Sequence, residues 1–386
     1  MALMKMKEVC SKIGSGATPR GGKEAYTNSG ISLIRSQNIL DYSFSYEGLA
    51  YINEAQAEKL RNVTVESGDV LLNITGDSVA RACMVPDELL PARVNQHVSI
   101  IRAKTDAVLS SYILYFLQMV KPHLLQLASG GATRNALTKG MIEDLVIEVP
   151  SIKEQEKTVS LIDKIQEKIK TNTTINENLQ EQARAIYHHM IIENADAAWT
   201  PGVLSDIAVI TMGQSPKGES YNEDGVGTVF FQGRAEFGFR FPTRRLYTTD
   251  PKRMAQANDA LMSVRAPVGD INVAYEDCCI GRGLGAIRSK DSHQSFVLYT
   301  MFALREQLNV FNGEGTVFGS INRDALNSMP VDIPPKEIMD QFEDIVAPMD
   351  AAIRNNYDEI CRLQTMRDSL LPRLMSGELD VSEVDH

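Results

Sequence analysis

Ile162-Asp-Lys-Ile165-Gln-Glu-Lys-Ile169-Lys-Thr-Asn172 and, 184 residues later, Val346-Ala-Pro-Met349-Asp-Ala-Ala-Ile353-Arg-Asn-Asn356 share one apolar spacing and end on the same residue. In each, apolar residues fall alternately three and four apart, the seam of a helix that winds around a partner. The first seam continues through Asn176, Ala183 and Met190, with Leu179 and Ile186 alongside; the second continues through Ile360, Arg367 and Leu374, with Leu363 and Leu370. Two seams in register within one chain predict that the helices pair as a coiled coil. The expected pairing residues are Ile162, Ile165, Ile169, Asn172, Leu179 and Ile186 with Ile353, Asn356, Ile360, Leu363 and Leu370. An amphipathic helix lying on its own domain is the alternative. Asn172 and Asn356 coincide under the repeat, and a buried amide at a seam costs stability while fixing register. If a pseudo-twofold axis relates the copies, equivalent residues meet at it when the helices run antiparallel. The two amides are then placed to bond each other, with a solvent-facing position as the alternative.

The duplication extends outward from these helices. Glu148-Val-Pro150 answers Asp332-Ile-Pro334, and Thr138-Lys-Gly-Met-Ile142 answers Asn322-Arg-Asp-Ala-Leu326, both at 184. Gly68-Asp-Val-Leu-Leu72 answers Asn258-Asp-Ala-Leu-Met262 at 190, and Gly16-Ala-Thr-Pro-Arg-Gly21 answers Gly213-Gln-Ser-Pro-Lys-Gly218 at 197. The offset drifts in steps, as loop insertions produce. A unit of about 190 residues is far longer than a solenoid repeat, so this is a duplicated domain, and 386 residues suit two to three domains. Short β-rich runs such as Val70-Leu-Leu-Asn-Ile74, Val98-Ser-Ile-Ile101 and Thr228-Val-Phe-Phe231 lie between Gly/Pro/Asn turns, with one helix expected near 111–127 and another near 295–311. Pro150 and Pro334-Pro335 punctuate the starts of the long helices, and Gly377 suits the end of the second. The expected fold is α/β (α+β): two tandem globular domains, each followed by a long α-helix. The expected boundaries are 1–150, 151–198, 199–334 and 335–386.

Charge and composition exclude several classes. The chain has 39 basic and 50 acidic side chains, a net −11. Of this, 152–193 contributes −1, 336–376 contributes −3 and 377–386 contributes −4, leaving only −3 for the globular parts. Net acidity does not exclude nucleic acid, because binding needs a local basic surface. Such a surface is expected between Gln232 and Arg253, where Arg234, Arg240, Arg244, Arg245, Lys252 and Arg253 stand among Phe237, Phe239, Phe241 and Tyr247. Lys12, Arg20, Lys23 and Arg35 hold a similar place in the first copy. A solvated face is the plain alternative. Hydrophobic content of 43 % excludes a wholly disordered chain. No run of 18 apolar residues predicts a membrane span, and the start lacks a secretory h-region. Five scattered cysteines argue against a disulfide framework and for the cytoplasm.

Signatures of catalysis are missing. There is no [DN]-P-P-[YF] loop of an amino-methyltransferase, since Ile333-Pro-Pro-Lys336 has no polar acceptor before it. Gly313-Glu-Gly-Thr-Val-Phe-Gly319 is glycine-rich but follows a helix, the wrong context for a phosphate cradle. No Walker lysine, G-x-S-x-G or C-x-x-C occurs, and the adjacent His188 and His189 point about 100° apart on a helix. No metal site and no catalytic residues are expected. Two diverged copies without a shared acid, base or nucleophile argue for binding.

Several motifs together resemble one family. Arg367-Asp-Ser-Leu-Leu-Pro-Arg-Leu-Met-Ser-Gly-Glu-Leu379 resembles the C-terminal signature of type I restriction-modification specificity (S) subunits. So do Trp199-Thr-Pro-Gly-Val-Leu-Ser-Asp-Ile207 leading to Gly213–Gly218, Glu8-Val-Cys-Ser-Lys-Ile-Gly-Ser-Gly16 leading to Thr18–Gly21, and Pro150-Ser-Ile-Lys-Glu-Gln-Glu156. The first copy lacks the tryptophan that opens the second, and its helix ends in Tyr187-His-His-Met190 without the Leu-Pro-Arg-Leu-Met-Ser-Gly-Glu run. The resemblance implies two target-recognition domains at opposite ends of an antiparallel helix pair. Each would read one half of a split double-stranded DNA target. Two methyltransferase (M) subunits would dock and bring S-adenosylmethionine, and a restriction/translocase (R) subunit would bring ATP and Mg, so this chain itself would hold no cofactor. A helix of 42 residues would span about 63 Å at ~1.5 Å per residue, enough to hold readers on half-sites roughly 34–36 Å apart. A related split-site system with a fused methyltransferase-nuclease partner, or a structural coiled-coil adaptor, are the alternatives.

On this reading the expected DNA contacts in the first domain are Thr18, Arg20, Lys23, Arg35, Ser36, Gln37, Asn38, Thr133, Arg134 and Asn135. In the second they are Ser215, Lys217, Arg234, Arg240, Arg244, Arg245 and Arg265. Arg, Gln and Asn pair bidentately with base edges, whereas Lys, Ser and Thr more often hold phosphates.

Overall fold

The apolar runs of the first copy become two small sheets. Strands Cys10–Ser15, Val98–Ala103, Val70–Asn73 and Ala82–Met84 pair antiparallel in that order. Ala50–Ile52, Ile31–Ile34, Ala92–Val94 and Thr64–Val65 form the other, with Ile31–Ile34 and Ala92–Val94 parallel. Val70–Asn73 is buried throughout because its two faces serve different cores. Val70 and Leu72 pack with Tyr112 and Phe116 of helix Ser110–Met119, whereas Leu71 packs with Leu33 and Ile100.

The second copy repeats this order. Ala208–Met212, Leu284–Ser289, Ala260–Ser263 and Ile271–Val273 make one sheet; Tyr221–Asn222, Leu246–Thr248, Thr228–Phe231, Cys278–Ile280 and Met254–Ala255 make the other. Thr228–Phe231 and Cys278–Ile280 are again the parallel neighbours. Met262 packs with Phe296 and Tyr299 of helix Gln294–Ala303, and Leu261 with Val229 and Ile280. A two-stranded ribbon closes each copy, Ala2–Lys5 with Val146–Val149 and Thr200–Val203 with Pro330–Ile333.

The Gly68-Asp and Asn258-Asp repeats have a structural cause. Gly68 and Asn258 both take positive φ, +79° and +73°, a turn open to glycine and tolerated by asparagine. Each turn delivers an aspartate under the sheet. Asp69 accepts from Arg102 at 2.7 and 2.8 Å and from the backbone of Glu66 at 2.7 Å. Asp259 accepts from Arg288 at 2.7 and 2.8 Å and from the backbone of Gln256 at 2.8 Å.

The long helices are Ile152–Tyr187, prolonged by π-helical His188–Glu193, and Lys336–Met375. Ser151 and Glu154 cap the first reciprocally, at 2.9 and 3.4 Å. Gly377 closes the second at φ +70°, with Leu379 N–H reaching back to the Arg373 carbonyl at 3.0 Å.

The computed structural model describes residues 2–130, 135–197, 199–313 and 319–379. The chain divides into two units, one of Met1–Thr171 with Glu359–His386 and one of Asn172–Asp358, so each globular domain keeps a segment of both long helices. In unit 1 the segments run antiparallel: Gln166 meets Arg367 at 3.1 Å, and Lys168 meets Glu359 at 3.5 Å. Ile162 and Ile165 are buried there, with Ile169, Leu363 and Leu370 packed against the same core. In unit 2, Ala183 and Val346 are fully buried in one core that Ile186 and Met349 line, and Ile353 is fully buried too. Leu179 and Ile360 are half-buried within their own units. Asn172 is buried, but the expected Asn172–Asn356 bond is corrected. Asn356 donates to Asn176 at 2.9 Å, and Asn176 donates to the Ile353 carbonyl at 3.3 Å. The facing residue lies one helical turn further along than equivalence under the repeat suggests.

Candidate nucleic-acid interface

At one end of the sheets in each unit, loops from distant parts of the sequence are laced together by backbone hydrogen bonds, and the lacing is the same in both copies. In unit 1, Gly16 N–H donates to Val98 and Ala17 N–H to Val94, at 2.9 and 3.0 Å; in unit 2, Gly213 donates to Leu284 and Gln214 to Ile280, both at 2.9 Å. Asn95 donates to Ile34 at 3.0 Å, as Gly281 does to Phe231 at 2.8 Å. Ile74 donates to His97 at 2.9 Å, as Val264 does to Gly283 at 2.9 Å; Leu137 donates to Ile74 at 2.8 Å, as Ile321 does to Val264 at 3.1 Å. The glycine opening each G-x-[ST]-P-x-G motif is required by this lacing. A Cβ on Gly16 would stand 2.1 Å from the Val94 carbonyl oxygen, and one on Gly213 would stand 2.1 Å from that of Gly281.

Each platform therefore gathers five short segments. In unit 1, Thr18 is exposed and bonds the side chain of Gln96; Gln96 lies 3.3 Å from His97, whose other ring nitrogen is 2.6 Å from the Thr75 hydroxyl. Gln37 is exposed beside the Gly48 carbonyl (3.3 Å), which Arg35 also reaches at 2.5 Å, and the Ser36 carbonyl accepts from Asn73 at 2.9 Å. Asn135 is exposed, and its carbonyl accepts from Gly76 at 3.3 Å. Arg20 is exposed; Lys23 lies on the turn Gly22–Ala25; Thr133 and Arg134 lie outside the described residues.

In unit 2, Ser215 is half-buried and accepts from the Arg282 backbone at 3.2 Å; Lys217, Arg265 and Arg282 are exposed, with Arg265 bridged to Ser320. The basic stretch 232–253 is less free than its arginines suggest, because the fold brings Asp270 and Glu276 to it beside the Glu236 it already carries. Arg234 pairs with Asp270, Arg244 with Glu276 at 2.5 Å and Arg245 with the buried Glu236 at 3.1 Å. These three guanidiniums remain about half exposed or more, and Arg244 also lies 5.2 Å from the Tyr275 ring.

Two expected contacts are corrected. Arg240 is 4 % exposed and is bonded to Asp350 and, at 3.2 Å, to Gln180, so it anchors the domain to the long helices. Asn38 is fully buried: its amide accepts from Arg35 N–H at 3.0 Å and donates to the carbonyls of Ser45 and Glu47 at 3.0 and 3.1 Å, holding the loop's shape. Sequence reading passed over Gln96, His97, Thr75, Gln214, Gln232 and Arg282. Their segments, such as Val94-Asn-Gln-His and Ile280-Gly-Arg-Gly, share too little sequence to be matched without the hydrogen bonds that equate them. Among the described residues no cluster of His, Cys, Asp and Glu suits a metal ion, and no helix is long and apolar enough to cross a membrane.

A family model described as the type I restriction modification DNA specificity domain matches residues 1–181 and again 197–361. A relative from Methanocaldococcus jannaschii, named putative type I restriction enzyme MjaX specificity subunit, is 24 % identical over 97 % of this chain and 93 % of its own length. The HindI specificity subunit of Haemophilus influenzae is 20 % identical over 92 % of this chain and 95 % of its own. Among solved structures, the type I restriction-modification S subunit of M. genitalium covers 97 % of this chain and 96 % of its own, with a TM-score of 0.57 at 12 % identity, a likeness of fold.

Proposed function

The chain belongs to the type I restriction-modification DNA specificity family, and from that we propose that it is the sequence-reading subunit of such a system, acting by recognition in the cytoplasm rather than by catalysis. Each loop platform reads one half of a bipartite double-stranded target. The helices set the unread spacer and dock methyltransferase subunits, which carry the S-adenosylmethionine chemistry; ATP and Mg belong to a restriction/translocase subunit. The observation that carries this reading is the duplicated platform: one backbone lacing built twice, with different polar side chains at its tips. Backbone kept while tips differ is what reading two unlike half-sites requires, since base identity is set by the donors and acceptors offered to the groove. The proposed contacts are Thr18, Arg20, Arg35, Gln37 and Gln96 in unit 1, and Ser215, Lys217, Arg234, Arg265 and Arg282 in unit 2.

The test is to express the chain with a methyltransferase of the same family and map methylated adenines in the host genome. A bipartite motif is expected. Gln37→Ala with Gln96→Ala is expected to relax one half only, and Arg234→Ala with Arg282→Ala the other only. Unchanged methylation in both double variants would refute the assignment of these loops.

A further inference from the structure

Tyr115 and Tyr299 occupy the same place in the two copies, 184 residues apart, and both are buried. Each gives its hydroxyl to a carboxylate on a long helix, Tyr115 to Asp163 of the first and Tyr299 to Asp350 of the second, the latter at 3.0 Å. A guanidinium fills the crevice beside each tyrosine, but it arrives from opposite sides. In unit 2 it is Arg240, from the recognition domain, 5.7 Å from the Tyr299 ring centre and bonded to Asp350 and Gln180 on the two helices. In unit 1 it is Arg367, from the second helix. Arg367 stacks 4.2 Å from the ring of Tyr42, itself 6.3 Å from Tyr115, and donates to Gln166 of the first helix at 3.1 Å. Asp368 flanks it at 2.8 Å. Gln166 stands 184 residues before Asp350. One seat thus offers a carboxylate where the other offers a neutral amide, and the amide seat already holds the cation.

We propose that these side chains key each recognition domain to its own helical seat, with Arg240 positioning the second domain and Arg367 excluding an arginine-bearing domain from the first seat. A second domain in the first seat would place Arg240 and Arg367 in one desolvated crevice, where like charges repel strongly because little water screens them. The same exchange would leave Asp350 without its partner in the other seat, and an uncompensated buried charge is costly. Chain order, and with it the order of the half-sites, is then written in the packing as well as in the connections.

The test compares the full chain with a chimera in which a second copy of 200–334 replaces 1–150, each with and without Arg367→Asp. Segment-resolved hydrogen exchange during thermal denaturation reads the midpoint of the first unit on 151–171 and 359–379, the helix segments that belong to it and stay unique in sequence in the chimera. In the native chain Arg367→Asp is expected to lower that midpoint by several degrees, since it strips Tyr42 and Gln166 of their cation. In the chimera the same substitution is expected to raise it, by on the order of 10 °C, since it turns a like-charge pair into Arg240 facing a carboxylate. If the unmodified chimera is insoluble, recovery of soluble chain by Arg367→Asp supports the proposal and failure to recover overturns it. A substitution that acts with the same sign in both backgrounds also overturns it, because a merely structural arginine would be missed equally in each.

Discussion

Asp69→Asn is the sharpest probe of how the first recognition domain is held. The Asp69 side chain is fully buried and takes three hydrogen bonds, two from Arg102 and one from the Glu66 backbone. Neutralising it leaves Arg102 facing an amide that cannot accept both guanidinium contacts equally. Breaking a buried pair from one side costs about 3–5 kcal/mol. Arg102 is 22 % exposed and keeps Glu66 and the Thr64 carbonyl, which places the loss near the lower end, about 3 kcal/mol. Asp259→Asn in the second domain should cost less, about 2 kcal/mol, because Arg288 is 37 % exposed and water can replace part of what is lost. For units of this size those losses lower the melting midpoint by roughly 6–12 °C and 4–8 °C. Calorimetry of the full chain gives the shifts, and hydrogen exchange assigns them: the first variant should lose protection in 1–150, the second in 199–334. Equal losses in both segments from either variant, a loss under about 1 kcal/mol for Asp69→Asn, or the reverse order of cost would refute the reasoning.

Three further outcomes follow from the packing. Asn356→Leu alone should destabilise unit 2 by about 1–3 kcal/mol, because it strands the buried Asn176 oxygen, while Asn176→Leu with Asn356→Leu should recover most of the loss; chemical denaturation of both variants checks this. His293 sits between Asp340 and Asp291, at 2.7 and 2.9 Å; burial opposes its charge, but the bonds to the two carboxylates prevail and hold its pKa above the ordinary 6.5. Its contribution is therefore full below the unfolded value and fades as pH rises through the folded one, so a pH series of melting curves should lose this slope in His293→Gln. Gly16→Ala and Gly213→Ala should each displace one loop platform, since the added carbon would stand 2.1 Å from a carbonyl oxygen, and DNA-retention assays should show weakened reading of one half-site per variant.

The duplication, the mixed α/β domains and the paired helices were legible because they rest on spacing, and spacing survives divergence. Ile162 and Val346 stay apolar across the repeat, and both are fully buried. The asparagine partner was not legible: heptad position says that Asn172 and Asn356 face inward, but a crossing shifted by one turn decides that Asn356 reaches Asn176. Nor does a basic stretch disclose which of its arginines is a surface group. Arg240 and Arg244 look alike in sequence, yet one is buried on Asp350 and the other half exposed on Glu276, and both carboxylates come from outside the stretch. The aromatic residues read there as a binding pattern are partly core: Phe241 is buried, its ring 5.5 Å from that of Tyr275 and 4.9 Å from that of Tyr357.

What the two copies keep and what they change separates two kinds of work. Kept are groups that hold the frame in place: the glycines against a carbonyl at 16 and 213, the aspartates under the sheet at 69 and 259, and the tyrosines at 115 and 299. Changed are side chains held outward by that backbone. Beside the shared lacing, Arg35 gives way to Gln232, Gln37 to Arg234 and Gln96 to Arg282. Each exchange trades a group that only donates for an amide that donates and accepts, or the reverse. Arginine suits the paired acceptors of guanine, and glutamine the acceptor-donor edge of adenine. The same scaffold can therefore present unlike chemistry at matched positions without altering its fold. On this reasoning exchanging only the tip residues, Gln37→Arg and Gln96→Arg in the first domain, should move its preference towards that of the second while leaving the melting midpoint of the chain within a degree or two. A stability loss as large as that of Asp69→Asn would mean instead that the tips belong to the frame, and that shape rather than exposed donors and acceptors carries the reading.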